Sequence, residues 1–219
     1  MNSARLTSLP SQSLAEQAYR ALEELLVTLQ LPPGTLIQER DLGGMIGIGR
    51  TPVREAIQKL AAYGLFKVIP RKGLMVSLVL RSELNQVIEA RRVLERLLVV
   101  KALERADSDQ RQALETLAAH LEHAGGDAGS YLRLDRRLDE LLESASGNPY
   151  LVRALSPLHV HCRRLWSLQR GQLDLSPSAR LHAGLARSVA RADSSGAIRS
   201  LNGIIAVLEE LLGGLDAIS

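Results

Sequence analysis

The sequence predicts a mostly α-helical protein: three helices and a β-hairpin at the N-terminus, followed by an antiparallel bundle of six or seven helices. Three observations predict it. Apolar residues recur at helical spacing over most of the 219 residues. Two β-rich runs, 66–69 and 74–79, stand either side of Pro70-Arg71-Lys72-Gly73. From about Arg81 onward there is no further strand signal and no proline until Pro149. The length suits two modest domains, and the change of pattern divides them as 1–79 and 80–219.

The first helix opens with Ser13 as N-cap and Glu16 three residues on, continues through Leu22, Leu25, Leu26 and Leu29, and stops at Pro32-Pro33-Gly34. A short second helix fits Glu39 to Ile46, ended by Gly47. The third runs from Arg50 to Tyr63, with Pro52 in its first turn, where a missing N–H costs little, and Gly64 closes it. The hairpin with its basic tip follows, and this order is that of a winged helix-turn-helix. Beyond it, helices are expected at 82–106, 108–124, 130–146, 149–170, 177–192 and 194–213. Gly147 terminates the third of these, Asn148-Pro149 and Ser176-Pro177 read as N-cap plus first-turn pairs, and Ser194 or Ser195 caps the last. Short connections make the bundle antiparallel.

Composition removes several classes. Apolar residues make up 46% and charged residues 23%, the proportions of a globular chain. No apolar run approaches the ~20 residues of a bilayer span and no signal-peptide core is visible, so no membrane partner and a cytoplasmic location are expected. Cys162 is the only cysteine, which excludes an intrachain disulfide, a cysteine zinc cluster and a CxxC pair. The six aromatics, Phe66, Trp166 and four Tyr, are too few for a base-stacking platform. Charge is unevenly placed: the net +3 lies within residues 1–80, and 81–219 are neutral. Between 40 and 72, Arg40, Arg50, Arg54, Lys59, Lys67, Arg71 and Lys72 face only Asp41 and Glu55. Charge alone leaves a polyanion partner and a solvated basic surface both open.

The order of motifs favours double-stranded DNA. A helix fits the major groove, and residues at its N-terminal end reach base edges and phosphates. Arg50, Thr51 and Arg54 occupy that end. Arg50 and Arg54, four apart, project from one face, where either guanidinium can fork onto guanine or clamp a phosphate, and Thr51 offers a hydroxyl. The alternative for both arginines is a surface salt bridge. Lys59 and Lys67 lie away from the helix start and are read as structural. The stretch PGTLIQERDLGGMIGIGRTPVREAIQKLAAYGLFKVIPRKGLMVSLV, residues 33–79, resembles the winged helix-turn-helix of the GntR superfamily of bacterial transcription regulators. The helical remainder resembles the FCD-type effector domain of its FadR-like subgroup. The resemblance implies that Arg40 also reaches the groove and that Arg71, Lys72 and Gly73 approach the minor groove or backbone from the wing tip. The family usually carries Ser or Thr where this chain has Gly49.

A small-molecule effector shifts such a regulator only by binding one domain arrangement better than another, so a pocket in the bundle is expected. In many FadR-like regulators the pocket holds a metal through an Asp, a His one turn later and two further His. Within YLRLDRRLDELLESASGNPYL, Asp135 falls on the Asp and Asp139 on the first His; His182 takes the next position, and Ile204 stands where the last His is due. Asp135, Asp139 and His182 would suit a divalent ion harder than zinc, such as Mn or Ni. The other reading makes Asp139 and Arg136 solvated surface residues and His182 a core imidazole. Arg91, in IEARRVLERL, resembles a pocket-facing Arg of the family, and Arg163 lies beside Arg164 and Trp166; buried guanidinium groups would select an organic acid. Alternatively Arg91 pairs with Glu95 and Arg163 lies in water. His120, His123, His159 and His161 have no spacing that joins them to a ligand set. The functional expectation is a ligand-responsive repressor binding a pseudo-palindromic operator as a homodimer formed by its C-terminal bundles. A metal-dependent enzyme built on Asp135, Asp139 and His182 is the rival; nothing in the chain supplies a nucleophile, phosphate loop or cofactor fingerprint for it. A winged head used for protein docking is a third class, and it has no need of a basic cluster at the helix start and wing.

Overall fold

The computed structural model describes residues 13–169 and 174–214. The chain forms two compact units, the first ending at Leu78 and the second beginning at Val79.

In the first unit α1 spans Leu14–Val27, α2 Glu39–Ile46 and α3 Arg50–Ala62. The Ser13 hydroxyl accepts the Glu16 N–H at 3.1 Å, the expected N-cap. Leu22 and Leu26 of α1, Leu42 of α2, and Val53, Ile57 and Leu60 of α3 are all buried. The hairpin is β2, Phe66–Ile69, and β3, Gly73–Val76. A third strand was not foreseen: β1, Leu36–Ile37, pairs antiparallel with β3, Leu36 opposite Met75 and Ile37 opposite Leu74. This makes β3 central in a three-stranded sheet. Two residues are too few to establish an alternating pattern, so only the pairing reveals the strand.

The second unit contains α4 (Arg81–Arg105), α5 (Ser108–Glu122), a 3-10 turn (Ala124–Gly126), α6 (Ala128–Ser146), α7 (Pro149–Gln169), α8 (Ser176–Ala190) and α9 (Ser194–Gly213). Six α-helices are thus seen among the described residues; position 170, where the fourth was expected to end, lies outside them. Gly147 ends α6 in the left-handed region, φ 58°, as expected. Two caps differ. Asp193, not a serine, caps α9, its carboxylate accepting the Gly196 N–H at 2.9 Å; α8 takes Ser176 into the helix and has Leu175 before it, with no side-chain cap. A fixed carboxylate accepts more strongly than a hydroxyl, which explains the first shift. One continuous apolar core runs through the bundle, from Leu84 and Leu98 on α4 to Leu208 on α9. Among the described residues no helix is long and apolar enough to cross a membrane.

Candidate nucleic-acid interface and effector pocket

Gly47 makes the turn between α2 and α3 possible: its φ of 66° lies where a side chain is disfavoured. α3 then buries Val53, Ala56, Ile57 and Leu60, which leaves Arg50, Thr51 and Arg54 exposed on its other side. Arg54 meets Glu39 of α2 at 3.2 Å, with 67% and 44% of the side chains exposed; Arg40 meets Asp41 at 3.4 Å. Such exposed pairs are weak and give way to phosphate at little cost. Gly49 sits at the N-cap of α3 with no side-chain hydrogen bond to the helix. Lys59 has the structural role expected of it: its ammonium stands 4.0 Å over the Tyr19 ring and 3.5 Å from Glu16, joining α3 to α1.

The wing tip is a tight turn. The Lys72 N–H donates to Ile69 O at 3.0 Å, Pro70 leads the turn, and Arg71 holds a left-handed φ of 65°. The Gln38 side-chain amide donates to Lys72 O at 2.9 Å, tying the tip to the start of α2. At Gly73, φ 101°, a Cβ would stand 2.7 Å from Ile37 O, so no other residue fits there. Arg71 and Lys72 are exposed. The α3 start and the wing tip therefore each present exposed cations on a fixed backbone.

The bundle buries a polar cluster contributed by four helices. On α4, Arg91 donates to Glu95 through both Nε and Nη2, the latter at 3.1 Å from Oε1. On α7, His159 places Nδ1 3.1 Å from Asp139 Oδ2 and Nε2 3.7 Å from Glu95 Oε1. Arg163 Nη1 lies 2.6 Å from Asp139 Oδ2 and 3.6 Å from Asp135 Oδ2. On α8, His182 Nε2 meets Asp135 Oδ1 at 3.1 Å while Nδ1 donates to Ser178 O at 2.8 Å, with the Tyr131 hydroxyl at 3.2 Å. The Tyr131 ring stands edge-on to Trp166, centroids 5.6 Å apart, and edge-on to His182. Arg91, Asp135, Asp139, Arg163 and His182, singled out in the sequence, thus come together. Two alternatives are corrected: Arg163 is 6% exposed and not in water, and Asp139, also 6% exposed, is not a solvated surface residue. Arg91 does pair with Glu95, but in the interior. Glu95 and His159, and Glu143 with its carboxylate 3.8 Å from His159, were missed as members. The signal for them was available: Asp135, Asp139 and Glu143 repeat every four residues on α6, as do His159 and Arg163 on α7.

Burial works against every charge here, and the partners decide the outcome. Burial alone would raise the Glu95 carboxyl, yet Arg91 and then His159 hold it well below the usual carboxylate range. Asp135, against the same penalty, is held down to about 2 by His182 and Arg163. His159 is pushed up to about 9, since Asp139 and Glu95 outweigh the loss of water. His182 is raised by Asp135 in the same way. Glu143 is raised to about 7 by burial and by the charge on Asp139.

This arrangement does not fit a divalent metal ion. The Arg163 guanidinium already fills the space between Asp135 and Asp139 with a positive charge. His182 spends both ring nitrogens as donors, leaving no lone pair to ligate. Ile204, at the position where the resemblance puts a last His, is a buried hydrocarbon side chain with no atom to ligate. Glu95, Asp139 and His159 also bring one ligand atom each within 4.8 Å of one another, but Arg91 and Arg163 engage the two carboxylates. An open groove of about 520 Å³ lies elsewhere, between α5 and the other face of α6, lined by His120, Leu134 and Arg137. The charged chemistry is not in it.

Comparison with known proteins agrees with both units. Residues 14–76 match the model for bacterial regulatory proteins of the gntR family, and residues 86–206 match the FCD domain. The chain is 29% identical over 155 residues to the uncharacterized HTH-type transcriptional regulator YdhC of Bacillus subtilis, covering 68% of this chain and 69% of that one. It is 37% identical over 68 residues to the HTH-type transcriptional repressor RspR of Escherichia coli, covering 31% and 30%. Among solved structures, McbR/YncC of E. coli superposes with a TM-score of 0.80 over 93% of this chain and 98% of that one, at 23% identity, a likeness of fold. With an exposed arginine pair at the start of α3, a basic wing and, later in the chain, a helical bundle, the chain belongs to the GntR family of DNA-binding transcription regulators, in the group that carries a C-terminal FCD effector-binding domain.

Proposed function

We propose that residues 1–79 read an inverted-repeat operator, that residues 80–219 bind the effector and a second copy of the chain, and that the protein acts as a repressor in the cytoplasm. The observation that carries the DNA reading is the pair Arg50 and Arg54, exposed and one turn apart at the leading end of α3. Arg40, Thr51, Arg71, Lys72 and Gly73 surround it as contacts to backbone and groove. The repressor assignment is supported by the name of the relative RspR. The effector is an organic acid: its carboxylate takes the place of Glu95 on Arg91, or of Asp139 on Arg163 and His159, loosening the ties between α4, α6 and α7. Binding rather than catalysis is favoured because Asp135 and Asp139 are both engaged by cations, so neither is poised to activate water.

Selection from a random duplex library with the full chain is expected to yield an inverted repeat with half-sites about one helical turn apart or less. On that sequence Arg50→Ala or Arg54→Ala costs about 1 to 3 kcal/mol. Recovery of no preferred sequence, or unaltered affinity in both variants, removes the reading.

A further inference from the structure

The wing tip is held from outside its own hairpin. The register of β1 on β3, Leu36 opposite Met75 and Ile37 opposite Leu74, carried one step further sets Gln38 opposite Gly73. Gly73 has no side chain, so that of Gln38 lies across it: a Cβ at Gly73 would stand 2.9 Å from the Gln38 Nε2. The amide passes over the glycine and donates to Lys72 O at 2.9 Å. The Lys72 N–H is spent on Ile69 O at 3.0 Å, so both polar groups of that backbone unit are engaged. On either side of it the chain is left-handed, φ 65° at Arg71 and 101° at Gly73. The points from which the two cationic side chains emerge are thereby fixed.

Gln38 stands at the N-cap of α2, φ −95° and ψ 147°, yet its side chain makes no hydrogen bond to that helix. Ser, Thr, Asp and Asn are favoured at an N-cap because a short side chain reaches the N–H groups of the first turn. Glutamine forgoes that bond and gains reach, from the start of α2 to the hairpin. α2 in turn packs on α3, with Leu42 and Val53 buried. The wing is therefore tied to the pair of helices that carries Arg50 and Arg54. Strand pairing on this side of β3 stops at Ile37, and the Gln38 bond carries the attachment on to the tip. With that tie cut, the duplex itself must restrain the tip, and the ordering entropy is lost from affinity.

We infer that Gln38 is a positioning residue for DNA binding: it holds Arg71 and Lys72 in register with the start of α3 instead of capping α2. The inference rests on the wing contacting DNA, as proposed above. The test is the affinity of the full chain for a random-sequence duplex, by fluorescence anisotropy over a range of salt, beside the melting temperature. Gln38→Ser is expected to keep the melting temperature at or above that of wild type, since serine caps α2. It should lower affinity about fivefold and flatten the slope of log K against log salt. Gln38→Met, which keeps the length and removes the donor, should weaken binding to the same degree. Either exchange placed in an Arg71→Ala/Lys72→Ala background should change affinity by less than about twofold, because nothing is left to position. Affinity within about twofold of wild type in both single variants overturns the inference. So does a loss as large in the double-alanine background as in wild type, which makes Gln38 a direct contact or a part of the fold alone. A wild type indifferent to the removal of Arg71 and Lys72 overturns instead the wing reading on which the inference stands.

Discussion

Arg71 occupies a backbone conformation that an arginine does not choose. Its φ of 65° lies where Gly or Asn is at ease and other residues pay about 1 kcal/mol or more. The turn needs that conformation, since Lys72 closes it onto Ile69 and Gly73 can carry no side chain. Strain kept at an exposed cation is what a contact residue predicts. Arg71→Gly should therefore stabilise the fold by about 0.5 to 1 kcal/mol in urea denaturation while weakening duplex binding. Tighter or unchanged DNA binding in that variant would remove Arg71 from the interface. At this scale the sequence was most informative where a residue's role is local. Arg50 and Arg54 follow from position in a helix, Gly47 and Gly147 from turn chemistry, and Gly73 from its place in the hairpin. Asp193 displaced Ser194 and Ser195 as a cap because two acceptor types competed within three positions, and pattern alone does not rank them.

Between elements, the clasp of α6 on α7 by Arg163, His159, Asp135 and Asp139 has two consequences. One concerns metals: with a guanidinium between the two carboxylates, stripping the protein with a chelator should leave its melting temperature unchanged, and Mn, Ni or Zn added back should not raise it. Arg163→Ala, by contrast, leaves Asp139 buried without its guanidinium and should destabilise by about 3 kcal/mol or more. A stoichiometric ion retained by wild type through dialysis would contradict this. The other concerns pH. The folded value of His159, about 9, lies above its ordinary 6.5, so the charged form favours folding. That contribution is complete below about pH 6.5 and disappears as pH rises through 9, roughly 3 kcal/mol in all. Glu95, Asp139 and Glu143 are the acids that face it. His159→Gln should flatten stability measured between pH 6.5 and 9; an equally steep decline in the variant would assign the loss to other groups. His159 escaped the sequence reading, and Glu95 entered it only as a partner of Arg91, because the contacts of His159 with Glu95 and Asp139 cross from helix to helix. The four-residue repeats are visible within α6 and α7, but which helix faces which is decided by the packing of the whole bundle. Conversely, among the described residues the starts and ends of the bundle helices lay close to their expected places, because caps and short connections are local.

For the molecule as a whole, the excess positive charge and the near-neutral bundle separate two tasks along one chain. A duplex is held through many phosphates, so affinity falls steeply with salt. With two heads on one operator, Lys72→Ala should reduce the slope of log K against log salt by about two units, one per head. A reduction of one would mean that a single head engages, and none would place Lys72 off the backbone. The two-part architecture was readable throughout because helical and strand periodicities differ. β1 was the exception, a strand whose existence depends on the wing folding back beside it. The sequence named five residues that the bundle gathers into one cluster but not the chemistry among them: the resemblance pointed to metal ligands at Asp135, Asp139 and His182, and the guanidinium of Arg163 gave the two carboxylates another use.

Trp166 is the sole indole of the chain, 6% exposed, with Tyr131 edge-on to it and to His182. Its emission therefore originates entirely from the neighbourhood of the buried charges, undiluted by a second fluorophore of its kind. Rearrangement of that interior would change colour and quantum yield directly, so the unlabelled protein carries its own optical gauge of the state of its buried charges.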